Sequence, residues 1–309
     1  SGNKALIEAS RLICAGLCDA VVFGGADALD ELTLQGFSAL EILSEQPLKP
    51  FSEARSGTNL GEGACAFVLS RECISDVALL AHAANSDAYH ITKPDPGARM
   101  QIMAIKTALK SAQLQSVDYV NLHGTGTAAN DAMEALAMST ALPLAPASSS
   151  KWATGHTLGA AGAIELAVCY EAIKQGVIPP NFTNDKIWRG SEAEIFRGAQ
   201  ARHGSNDEIL NSASDQILCS SGSEILQNAQ GEISKNNANE ILTASKALQG
   251  ADDKILKSDA DQTSQTSEIP AALSKFNLAR EAKKARVDTA MNLNFAFGGD
   301  NAVTIIGRV

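Results

Sequence analysis

The chain has 309 residues, 45% of them apolar, and a formal net charge of -10 at pH 7. That balance excludes nucleic acid and anionic membrane as general partners, because both reward clustered Lys and Arg, and leaves room only for a local basic patch. The length suffices for one or two cores, and 24 glycines favour an α/β protein with tight loops.

No apolar run approaches the length of a membrane span and no basic-then-apolar leader opens the chain, so a cytoplasmic location is expected. Six cysteines, Cys14, Cys18, Cys65, Cys73, Cys169 and Cys219, show no paired metal-ligand spacing. They read as reduced packing thiols, and no metal is expected.

In chain order, Asn3 to Leu17 carries apolar residues at helical spacing with Gly16 near its end, which predicts a first helix. Asp19 to Phe23 reads as a buried strand stopped by Gly24-Gly25, a helix-to-strand unit of layered α/β proteins. Leu32 to Leu43 is amphipathic, Lys49-Pro50-Phe51 breaks it, and Ala64 to Leu69 is a strand after the loop Gly61-Glu62-Gly63. Val77 to Ala83 reads as a strand and Ala98 to Ala112 as an amphipathic helix.

Tyr119 to Leu122 is a strand that delivers His123 into the loop Gly124-Thr125-Gly126-Thr127, the placement expected of an active-site loop. Asn130-Asp131-Ala132-Met133-Glu134 follows, with Asp131 or Glu134 suited to cap a helix. The stretch from Ser148 to Leu166 then sets Lys151 and His156 among small, uncharged residues, and Leu158 to Gln175 reads as a helix. Its Leu158–Gly162 run has so little side-chain volume that it can lie against another backbone.

Beyond Asn181-Phe182 the composition turns to Asn, Ser, Ala, Gln, Asp and Glu. Within it Ile209-Leu210, Ile217-Leu218, Ile225-Leu226, Ile233-Ser234 and Ile241-Leu242 recur every eight residues. That period fits neither an α-helix nor a coiled coil, and two apolar residues per repeat bury too little to offset about 1–2 kcal/mol of backbone entropy per residue. A tandem-duplicated disordered loop is expected, with a short β-stack as the other reading. The segment Asn292-Leu293-Asn294-Phe295-Ala296-Phe297-Gly298-Gly299 closes the chain with aromatics beside glycines whose amides suit an oxyanion.

Each stretch alone is compatible with a core histidine, a surface lysine and packing glycines. Two histidines in strand-end and glycine settings beside one lysine instead suit stabilisation of an enolate or oxyanion, since neutral imidazoles donate hydrogen bonds and a cation supplies field. Jointly and in this order, the stretches around His123, Lys151–His156 and Phe297 resemble the carboxy-terminal part of a β-ketoacyl-acyl-carrier-protein synthase, a condensing enzyme of the thiolase superfamily. Gly24-Gly25-Ala26-Asp27, Lys49-Pro50-Phe51, Asn59-Leu60-Gly61-Glu62-Gly63-Ala64 and Ser86-Asp87-Ala88-Tyr89-His90 extend the resemblance. Leu32-Thr33-Leu34-Gln35-Gly36-Phe37 and Phe295-Ala296-Phe297 look more like condensing enzymes of aryl-polyene pathways than those of housekeeping fatty-acid synthesis.

The resemblance implies an α/β fold, the thiolase-like five-layer αβαβα core built from two similar halves. Residues 1–75 correspond to the end of the first half, 76–184 and 286–309 to the second half, and 185–285 to an insertion without counterpart. It implies that His123 and His156 serve the malonyl thioester oxygen and decarboxylation, with Lys151 supplying supporting charge. Phe297 would be a gate whose amide helps form the acyl oxyanion hole, Thr125 and Thr127 would contact the phosphopantetheine arm, and Glu165 would be a structural acid behind the histidines.

The reaction implied is decarboxylative Claisen condensation of malonyl-acyl carrier protein with an enzyme-bound acyl group. Substrates ride on the phosphopantetheine arm of acyl carrier protein, so no further cofactor is expected. Partners would be that carrier protein and a second ketosynthase chain, as a homodimer or heterodimer. The nucleophilic cysteine of the family aligns just upstream of Ser1, so a fragment or processed chain, inactive in condensation by itself, is expected. A thiolase would need a second catalytic cysteine near the carboxy terminus, and none follows Cys219. A non-catalytic partner subunit or an inactive remnant is the alternative, set against the presence of His123, Lys151 and His156.

Overall fold

A computed structural model describes residues 1–181 and 276–309. The octad repeats and Cys219 lie outside the described residues. Helix α1 (Gly2–Cys14) opens the chain and buries Leu6, Ile7, Ala9 and Ile13. It stops short of the expected Leu17 because Gly16 turns the chain at φ 72°.

Strand β1 (Ala20–Asp27) continues through Gly24-Gly25 rather than ending there. The glycines serve close approach: a Cβ on Gly24 would lie 2.3 Å from the Cys65 carbonyl oxygen and one on Gly25 2.7 Å from that of Gly159. After α2 (Glu31–Ala39), β2 (Gly63–Ser70) pairs antiparallel with β1, from Ala20↔Ser70 to Asp27↔Gly63.

The remaining elements are β3 (Val77–Ser86), α3 (Arg99–Ala112), β4 (Tyr119–Asn121), α4 (Ala128–Ala141), β5 (Ala147–Ser148), the short α5 (Lys151–Thr154), α6 (Leu158–Gln175), β6 (Val177–Ile178), β7 (Lys283–Lys284), β8 (Thr289–Ala296) and β9 (Asp300–Arg308). One mixed sheet has the order β3-β9-β8-β4-β5, with β4 parallel to β8 and β5 and the other pairs antiparallel. Helices α1 and α6 lie between this sheet and the β1-β2 pair, and α3 packs on β3, β9 and α4. Among the described residues this gives β-α-β-α layering, part of the five-layer αβαβα arrangement.

The two-residue period of strands divides the central sheet between two cores. Val120, Leu122, Met291, Leu293, Val303 and Ile305 face α3 and α4, while Tyr119, Ala290 and Ile306 join α1 and α6. The small-residue face of α6 makes the close contacts: a Cβ on Gly162 would sit 2.7 Å from the amide nitrogen of Asn3, and one on Gly2 2.5 Å from that of Ala163. The stretch Phe276–Ala285, assigned from sequence to the insertion, is packed into this fold. Phe276 is buried against Phe51, Ala279 pairs with Ala147 and Asn181, and β7 pairs with β6. A single buried aromatic at the end of a polar run is too weak a periodic signal to mark that boundary.

Candidate active site

Strand β4 runs between β5 and β8 and ends at Asn121, so the next two residues carry His123 to the edge of the sheet beside α6. The loop it enters is pinned by two buried acids of α4. Glu134 accepts the amide of His123 on Oε1 at 2.6 Å and that of Gly124 on Oε2 at 2.7 Å. Asp131 accepts the amides of Gly126 at 3.1 Å and of Phe51 at 2.7 Å.

These acids therefore satisfy amides, as the sequence suggested, but the amides belong to the histidine loop and to Phe51. The α4 cap residue, Thr127, makes no side-chain cap bond. Burial pushes the Asp131 carboxyl up to about 6 and that of Glu134 up to about 8, against the pull of the amides they accept. Gly124 and Gly126 adopt positive φ, and a Cβ on either would lie 2.4 Å from a neighbouring side chain, Ser149 or Leu48.

Lys151 opens α5 fully buried, with its Nζ 3.3 Å from Nδ1 of His123 and paired with Oε1 of Glu165. An ammonium only donates, so Nδ1 of His123 accepts and the imidazole proton resides on Nε2. Glu165 receives a second donor, Nδ2 of Asn294, on Oε2. Glu165 is thus buried and linked to His123 through Lys151.

His156 is fixed by its backbone: its amide donates to the Asn59 carbonyl at 2.7 Å and its carbonyl accepts from Gly61 at 3.1 Å. Gly61 is needed for that approach, since a Cβ there would lie 2.1 Å from the Thr154 oxygen. The extended stretch Asn59-Leu60-Gly61 is thus the seat of His156. The rings of His123 and His156 stand 5.4 Å apart at 87°. Burial first, then the charge of Lys151, holds both imidazoles well below the ordinary histidine range, so both are neutral donors at pH 7.

Phe37 of α2 covers the open side, edge-on to His156 at 6.4 Å and stacked on Phe297 at 5.8 Å. Phe297 is about half exposed and starts the turn between β8 and β9, where Gly298 donates its amide to Ile91. Thr125 is buried and its hydroxyl lies 3.0 Å from that of Thr127. The structure brings His123, Lys151, His156 and Glu165 into one cluster, with Phe297 reaching it through Phe37. Sequence reading had no role for Phe37, Asn59 or Asn294, which act through contacts more than 90 residues distant along the chain.

The described residues hold no group of His, Cys, Asp and Glu placed to bind a metal ion. A buried pair of neutral imidazole donors, one oriented by a lysine–glutamate pair, can stabilise negative charge growing on a carbonyl oxygen.

Residues 1–73 match the model of the β-ketoacyl synthase N-terminal domain and residues 77–184 that of the β-ketoacyl synthase C-terminal domain, together more than half of the chain. The chain belongs to the β-ketoacyl synthase family. It is 35% identical over 204 residues to the putative mitochondrial 3-oxoacyl-[acyl-carrier-protein] synthase of Schizosaccharomyces pombe, covering 58% of this chain and 48% of that protein. It is 36% identical over 194 residues to 3-oxoacyl-[acyl-carrier-protein] synthase 2 of Coxiella burnetii, covering 56% of this chain and 47% of that protein. The chain spans about half the length of the curated relatives it matches.

Among solved structures, the ketosynthase ApeO in complex with its chain length factor ApeC from Xenorhabdus doucetiae matches with a TM-score of 0.68 at 28% identity, covering 100% of this chain and 58% of that one. A β-ketoacyl synthase from Burkholderia phymatum matches in fold with a TM-score of 0.69 at 24% identity, covering 100% of this chain and 59% of that one. No helix among the described residues is long and apolar enough to cross a membrane.

Proposed function

We propose that this chain carries the malonyl-decarboxylating groups of a 3-oxoacyl-acyl-carrier-protein synthase. The observation that carries the reading is the Lys151–His123 contact: it fixes the imidazole proton on Nε2 and leaves that nitrogen a donor, with neutral His156 beside it. In the reaction the bond between the malonyl methylene and its carboxylate breaks and carbon dioxide leaves. The electron pair passes into an enolate whose thioester oxygen is bound by His123 and His156. The carbanion then attacks the acyl thioester on the cysteine, forming the new carbon–carbon bond and expelling the thiolate.

His123, Lys151 and His156 act in the first step, Thr125 and Thr127 line the path of the phosphopantetheine arm, and Phe297 gates it. Acyl carrier protein and a second ketosynthase chain are the partners of this reading, and no resident cofactor is called for. Loss of carbon dioxide needs no nucleophile, so the step can be measured on this chain. Release of carboxyl-labelled carbon dioxide from malonyl carrier protein tests the reading. His156→Ala should lower the rate by about 10²–10³, as deletion of one oxyanion donor does. An unchanged rate removes His156 from the assignment.

A further inference from the structure

We propose that Asn294 is a positioning residue of this site: its amide holds the second carboxylate oxygen of Glu165 and thereby keeps the Lys151 ammonium against Nδ1 of His123. The proposal rests on the reading given above. On β8, Met291, Leu293 and Phe295 point into the core under α3 and α4, so the alternation turns Asn292 and Asn294 toward α1 and α6. There Asn292 Nδ2 donates to the Gly162 carbonyl at 2.9 Å and Asn294 Nδ2 to Oε2 of Glu165.

Glu165 is 1% exposed. A buried carboxylate is tolerated only when donors reach both oxygens. Lys151 supplies one, on Oε1, and Asn294 the other. Burial pushes the Glu165 carboxyl up, and Lys151 with Asn294 resists that push. The other titratable groups that influence Glu165 or share its surroundings are Tyr119 and Cys169, which burial keeps protonated, and the Ser1 amino group, whose charge adds to that of Lys151 and which burial itself lowers.

Without the Asn294 donor, Oε2 faces low-dielectric surroundings and the carboxyl gains a proton more readily. Lys151 then loses its charged anchor, and the ammonium no longer has a fixed place beside Nδ1 of His123. The same contact gives Gly162 its reason: a Cβ there would lie 2.8 Å from Oδ1 of Asn294. Asn294 touches no reacting atom, so its effect must pass through Glu165.

The test measures carbon dioxide release from malonyl carrier protein by the full chain carrying Asn294→Leu, with Asn294→Ala in parallel because it cannot overpack. Both should lower kcat by about 10–100-fold with KM little changed, the range for groups that orient a functional side chain without touching substrate. In a Glu165→Gln background Asn294→Leu should add little further loss, because the two residues act as one unit. Infrared spectroscopy of the Glu165 carboxyl, identified by its disappearance in Glu165→Gln, should show it ionised in the parent at neutral pH and protonated in Asn294→Leu. Unchanged kcat in both Asn294 variants, or losses that multiply with Glu165→Gln, overturns the proposal. If the parent releases no carbon dioxide the proposed function falls, and the infrared readout alone decides Asn294: a carboxyl still ionised in Asn294→Leu overturns it.

Discussion

Glu134 takes the backbone amide of His123 on one carboxyl oxygen, at 2.6 Å, while its other oxygen takes that of Gly124. A buried acid of α4 is thereby the clamp of the first histidine. Replacing it by Leu strands both amides in a buried site, and by Gln at least one. Each buried, unsatisfied amide costs about 1–3 kcal/mol. Glu134→Leu is expected to lower Tm by several degrees and to slow carbon dioxide release, measured by calorimetry and by the labelled-malonyl assay. Unaltered melting would show that the clamp is dispensable.

The same two acids set a pH dependence of stability. Burial raises Asp131 from its ordinary 3.8 to about 6 and Glu134 from 4.5 to about 8. A group whose pKa is raised by folding holds a proton in the native state that the unfolded chain has already released. Its stabilisation is complete below the unfolded value and is lost as pH rises through the folded value. Below about pH 6.5 the buried neutral His123 and His156 oppose this trend, since only the unfolded chain protonates them there, so Tm is expected to fall from about pH 7 to pH 9, and Glu134→Gln should flatten that slope. A Tm rising over this range in the parent would contradict the sign.

Gly61 and Gly36 separate a glycine required by packing from one that is not. A Cβ on Gly61 would lie 2.1 Å from the Thr154 carbonyl, whereas one on Gly36 meets nothing within 4 Å. Overpacking of this kind costs about 1–3 kcal/mol. Gly61→Ala should destabilise the chain and displace His156, with a matching fall in carbon dioxide release. Gly36→Ala, inside α2, should be neutral or stabilising by about 0.5–1 kcal/mol. Comparison of the two melting curves checks both statements.

Much of this was legible because periodicity and glycine placement carry local information. The helix expected over Leu158 to Gln175 has those bounds as α6, and His123 does follow a strand. What sequence could not supply were relations between distant segments. Gly24-Gly25 looked like a strand stop because glycine at a strand end and glycine at a close crossing are the same letter. Only the approach of Cys65 and Gly159 distinguishes them. Asp131 and Glu134 looked like helix caps because their acceptors were visible in the sequence but the donors, on the His123 loop and Phe51, were not. Asn294 lay in a motif noted for its aromatics, and its partner Glu165 is 129 positions away.

The chemistry assigned to this chain rests on His123 and His156 being neutral hydrogen-bond donors, with the His123 proton on Nε2. Nitrogen-15 magnetic resonance of histidine-labelled protein, followed from pH 8 to pH 6, measures this directly. The expected result is two imidazoles that stay neutral throughout, His123 with a protonated Nε2 and an accepting Nδ1 that changes on Lys151→Met. An imidazolium at either position in that range, or a proton on Nδ1 of His123, would contradict the account.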